Sequence, residues 1–125
     1  DTNKILKGKY APVGEQFDRA INALYGRPAD YKTAVSNAVN ALEGVARIAT
    51  GTSNDFSVNI RTIFASNPDL HSTLGKALTS LYGFASDFPG IRHGQHIDRP
   101  LEEADAKFVV RICAIAIVFI IQLNP

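Results

Sequence analysis

Arg92, His93, His96 and Arg99 bring two guanidinium groups and two imidazoles into eight positions, between Gly90 and Pro100. A guanidinium keeps its charge at any working pH and offers a fork of N–H donors to phosphate. An imidazole can give or take a proton near neutrality. The four side chains together therefore suit a pocket for an oxyanion with a proton carrier beside it, where a phosphate could be broken as well as bound. Pro100 adds to this, because proline has the backbone angle that a first helical position requires and lacks only an amide that would be unpaired there. A helix is expected to begin near residue 100, with its free amides and positive dipole end facing back toward the arginines and histidines. Asp98, Glu102, Glu103 and Asp105 lie close by in the chain. In the plainer reading they neutralise the same arginines, and the stretch is a solvated connection.

The whole chain sets bounds on that chemistry. Its 125 residues suit one domain with a single core. With 13 Lys+Arg against 12 Asp+Glu the formal charge is +1, which speaks against a broad basic surface for duplex DNA and leaves room only for local contact with nucleic acid. Cys113 is the one cysteine, so no internal disulfide can form, and its apolar neighbours predict a packed thiol in a reducing, cytoplasmic setting. His71, His93 and His96 are the only histidines, without Cys or His-Glu-x-x-His spacing, so a mechanism with neither metal nor cofactor is expected. The chain has no methionine and opens on Asp1, which predicts an excised domain or trimmed product, and no signal-peptide pattern opens it.

The elements that would position these residues read as helices throughout. Residues 1–11, with Lys4, Lys7 and Lys9, read as a linker or frayed basic arm, and 12–125 as the helical domain. Phe17, Ala20, Ile21, Leu24 and Tyr25 share one helical face, which Gly26 and Pro28 end. Asp30 can cap a second helix whose buried face runs through Ala34, Val35, Ala38, Leu42, Val45, Ala46 and Ala49 to Gly51. So many small residues predict a central packing or pairing element, with Glu43 and Arg47 as an i, i+4 pair. Phe56, Ile60, Ile63 and Phe64 have helical spacing. After Asn67-Pro68-Asp69, Leu70, Leu74, Ala77, Leu78, Leu81, Tyr82 and Ala85 make a second long stripe, with His71 as a solvated first-turn residue. The last segment is apolar without interruption from Ile112 to Ile121. A membrane span needs roughly twenty such residues, and Arg111 would be costly in one. The expectation is burial on every side, partly in a contact between two copies.

Four runs carry a family resemblance: Thr73-Leu74-Gly75-Lys76-Ala77-Leu78, Leu81 to Asp87, Gly90-Ile91-Arg92-His93-Gly94, and Asp105-Ala106-Lys107-Phe108. Together with Ala41 to Arg47 and Thr50-Gly51, they resemble the carboxy-terminal domains of bacterial abortive-infection proteins in the HEPN superfamily, over roughly residues 15 to 123. The resemblance implies an all-α bundle of about five helices that forms a homodimer. It also implies a metal-independent RNase of phage-defence or toxin–antitoxin systems, with RNA as substrate and an antitoxin or further domains as partners. In such enzymes the ribose 2′-OH attacks the adjacent phosphate and leaves a 2′,3′-cyclic phosphate. By the same resemblance Arg92 stabilises the pentacoordinate phosphate, His93 is its polar neighbour and His96 is the nearest candidate for the acid/base histidine, while Arg99 is expected to add to phosphate binding by its place in the cationic stretch alone. Three residues separate Arg92 from His96, fewer than the family pattern usually places there. The resemblance therefore also admits an inactive module that dimerises and binds RNA or a nucleotide while regulating a partner domain.

Overall fold

The computed structural model describes residues 8–87 and 101–125. Among them a single 3-10 turn, Gly8–Tyr10, precedes five α-helices: α1 (Ala11–Leu24), α2 (Tyr31–Thr50), α3 (Phe56–Ala65), α4 (Ser72–Ser86) and α5 (Glu103–Leu123). The periodicity predicts helices at these places, and the all-α bundle of about five helices is the one the resemblance implies.

The alanine-rich α2 lies at the centre, with α1 and α5 packed along it and α3 against it. Its start is fixed by Asp30, whose Oδ1 accepts a hydrogen bond from the Thr33 amide at 3.1 Å while Oδ2 accepts from the Thr33 hydroxyl at 2.7 Å. Its end is set by Gly51 at φ 74°, a left-handed conformation that glycine adopts without penalty. Between these caps Ala34, Val35, Ala38, Val39, Ala41, Leu42, Val45 and Ala46 are buried. Small side chains let the backbones of α1 and α5 come close, so packing contacts accumulate along the whole length. The alanine face is thus spent inside this chain and is not a pairing surface between copies.

α1 buries Val13, Ala20 and Leu24, with Phe17 and Ile21 at the edge of the core. Tyr25, which shares their spacing, is instead 57% exposed because it caps the helix and lies past its last turn. A side chain at Gly26 would bring its Cβ within 2.9 Å of the Asn22 carbonyl oxygen, so the chain can turn away only with glycine there. The fold also reaches further toward the start than the expected arm at 1–11 allows. Tyr10 is buried, and its hydroxyl donates to the backbone oxygen of Asn124 just beyond α5. Gly8 to Ala11 therefore belong to the bundle, and residues 1–7 lie outside the described ones.

α4 and α5 depart from their predicted faces. Of the α4 stripe only Leu78 and Ala85 are buried, while Leu74 and Ala77 are exposed. α5 buries Ala106, Val109, Val110, Cys113, Ala116, Ile117, Ile120 and Ile121, yet Phe108 and Ile115 are 54% and 71% exposed. The expectation of burial on every side fails for one reason. Among the described residues α2 covers one face of α5, with a smaller share from α1, and α4 meets the helix across an open groove, so Phe108 and Ile115 stay exposed. By length and composition α5 could cross a membrane, but its face against α2 is that of a core helix.

Candidate functional site

Arg92, His93, His96 and Arg99, the residues to which the sequence assigns phosphate binding and proton transfer, lie outside the described residues, as does Pro100. What the structure does describe is the pair of helix ends that flank them in the chain.

On the near side α4 ends at Ser86, which is buried and donates its hydroxyl to the Gly83 carbonyl at 3.3 Å. Phe84 reaches across to Phe108 of α5, with ring centroids 6.3 Å apart and planes at 71°, the edge-on geometry aromatic rings favour. This contact ties the end of α4 to the beginning of α5.

On the far side α5 begins at Glu103 and not at Pro100. Glu102 is the capping residue of a reciprocal box. Its carboxylate accepts from the Asp105 amide, and Asp105 Oδ2 accepts from the Glu102 amide at 3.1 Å. Two of the amides that any helix start leaves unpaired are satisfied at once, and that outweighs the preference proline expresses three positions earlier. The electrostatic consequence bears on the site. Glu102, Glu103 and Asp105 already place negative charge at the positive end of the α5 dipole. A phosphate approaching there meets carboxylates before it meets the helix amides.

Further along, Lys107 pairs with Glu103 at 3.1 Å, and its Nζ sits 5.8 Å from the centre of the Tyr25 ring. Arg111 borders an open cavity of about 450 Å³ beside Lys107 and Phe108, and it forms no ion pair among the described residues. The sequence offers Arg111 only as an obstacle to a membrane span.

The remaining chemistry-bearing residues are structural. Cys113 is buried, and that burial pushes its thiol up to about 12, so it is protonated and inert at neutral pH, as a packed thiol should be. His71 is exposed and caps α4, accepting from the Thr73 amide through Nδ1 at 3.1 Å. Glu43 and Arg47 form the expected pair at 3.5 Å. They border a cavity of about 340 Å³ with Asp55 and with Tyr82, which stacks on Phe56 at 4.5 Å. Asn59, which composition left unmarked, is buried and hydrogen-bonded to the last residue of α2 and to the loop that follows it. Among the described residues no three His, Cys, Asp or Glu side chains converge as a metal site.

Comparison with protein-family models, with curated proteins and with solved structures gives no match for this chain.

Proposed function

We propose that this chain is a metal-independent RNase domain of a bacterial phage-defence protein, of the abortive-infection or toxin–antitoxin kind, working as a HEPN-like homodimer in the cytoplasm. The observation that supports it most is a coincidence of order. In chain order the Arg/His stretch stands between α4 and α5 of a bundle that is all-helical among the described residues, and an all-α bundle is what the resemblance implies.

In this reading the 2′-oxygen of a ribose attacks the neighbouring phosphorus and its proton passes to a base. The bond from phosphorus to the 5′-oxygen breaks, and that oxygen takes a proton as it leaves. Arg92 stabilises the extra negative charge on the five-coordinate phosphorus, because fixed positive charge acts most strongly where charge develops. His96 exchanges the protons, with His93 as polar neighbour, and Arg99 holds an adjacent phosphate.

A second reading is an inactive module of the same fold that dimerises, binds RNA or a nucleotide and regulates a partner domain. The carboxylates at the start of α5 favour it, since they remove the helix dipole from the stabilisation of an oxyanion.

Incubation with single-stranded RNA in the presence of EDTA separates the two. The expected products end in 2′,3′-cyclic phosphate, and Arg92→Ala and His96→Ala each slow cleavage by about 10²-fold or more. Cleavage that persists in both variants overturns the residue assignment. RNA retained on a filter but never cut transfers the conclusion to the second reading.

A further inference from the structure

A furrow of about 520 Å³ runs along the outside of α3 and α4. The α3 wall carries Ile60, Arg61 and Phe64, and the α4 wall carries Ser72, Gly75 and Lys76. Its floor is closed. Ile60 is 2% exposed, and a Cβ placed on Gly75 would sit 3.4 Å from Cδ2 of Phe64, so the two helices meet at the bottom. No flat group can enter between the walls, and whatever covers the furrow must lie along it.

The rim is cationic. Arg61 on one wall and Lys76 on the other are exposed, and no carboxylate lines the furrow. Neither cation forms an ion pair among the described residues, where Arg47 and Lys107 do. The formal charge of the chain is only +1, so this pair is not the overflow of a basic protein. Between the two cations, the half-buried edge of Phe64 and the aliphatic stems of Arg61 and Lys76 leave an apolar strip. A small anion would neutralise the rim and leave that strip wet. An extended peptide would bring backbone amides that find no partner, since both walls are helices whose own backbone groups are paired. A helix satisfies its backbone internally, and it can carry apolar side chains along its middle with carboxylates on both flanks. Because α3 spans ten residues, such a helix meets the furrow over about three turns.

We propose that the furrow between α3 and α4 is the docking surface for an acidic amphipathic helix of another protein, with aliphatic side chains over Phe64 and carboxylates on Arg61 and Lys76. Complementary charge selects the partner, and the narrow apolar strip fixes the line along which it lies. None of the residues that line the furrow borders the apolar groove between α4 and α5. Docking here is therefore independent of self-association through that groove and of any chemistry at the Arg/His stretch.

The test is fluorescence anisotropy of a labelled peptide titrated with the whole chain. The probe is about fourteen residues long, enough to hold a helix, with leucine and alanine on one face and glutamate on both flanks. The expected Kd is on the order of 10–100 µM, in keeping with a small contact area. The same peptide with glutamine for glutamate binds about ten-fold or more weakly, and so does polyglutamate, which lacks the apolar face. Arg61→Glu and Lys76→Glu each weaken binding about ten-fold. Both positions are exposed, so these variants keep their helical circular dichroism. Lys32→Ala, which removes an exposed cation on α2, leaves affinity unchanged. The proposal is overturned if the acidic peptide does not bind at millimolar concentration, or if the Arg61→Glu/Lys76→Glu double variant binds it as well as the parent. It is overturned equally if a single-stranded oligoadenylate binds the furrow more tightly than the peptide, or if the double variant has a lower mass than the parent in light scattering, since the occupant would then be nucleic acid or a second copy.

Discussion

At position 59 a buried amide does what a loop cannot do alone. Its Oδ1 accepts from the hydroxyls of Thr50 at 3.1 Å and Thr52 at 2.6 Å, and its Nδ2 donates to the Asn54 carbonyl at 3.0 Å. One side chain on α3 thus holds the end of α2 and the turn that follows it. Replacing Asn59 by alanine leaves these partners to find water in a site that is 1% exposed, and an unpaired buried polar group costs about 1–3 kcal/mol. Urea unfolding should show Asn59→Ala less stable by about 2 kcal/mol. An unchanged midpoint and slope would mean that water replaces the amide. None of this is legible in the chain, because Gly51-Thr52-Ser53-Asn54-Asp55 reads only as polar loop and Asn59 as one more polar residue on a short helix. Its role appears when α3 folds back over α2. Cys113 is the contrary case. Its neighbours are apolar on both sides in sequence, so the packed thiol could be foreseen without coordinates.

Helices are where local chemistry can be read most directly, and their ends divide into two kinds. Asp30 and Gly51 bound α2 as expected, because one residue at each end carries the whole signal. The start of α5 falls three residues past Pro100 because a reciprocal pair, Glu102 with Asp105, satisfies more amides than a single proline does. Asp30 also makes a prediction. Its two hydrogen bonds from Thr33, the side-chain one first, hold its carboxyl below the usual carboxylate range, with a smaller contribution from Lys32. A carboxyl depressed in the folded state stabilises fully above its unfolded value, about 3.9, and the contribution fades as pH falls through the lower folded value. Asp30→Ala should therefore cost about 1 kcal/mol at neutral pH, the usual worth of such a cap. The gap between variant and parent should narrow when the unfolding curves are repeated below about pH 4. A gap that stays constant across that range would remove the charge from the explanation.

For the molecule as a whole, the 3.6-residue spacing was enough to foresee an all-helical bundle around α2, since each stripe needs only its own period to be recognised. It was not enough to say which stripes find a cover. Leu74 and Ile115 look like core residues in sequence and border an open apolar groove of about 340 Å³ between α4 and α5. That groove supports the proposed homodimer, since an uncovered apolar face of this kind favours association. Light scattering should give twice the chain mass for the parent and a monomer for Ile115→Glu, with helical content unchanged. A monomeric parent at high micromolar concentration would leave the groove without this role. The bond from Tyr10 to Asn124 has a different consequence. It sets the first and last turns of the bundle side by side at one pole. A host protein could carry the described bundle as an insert, with its points of entry and exit next to each other.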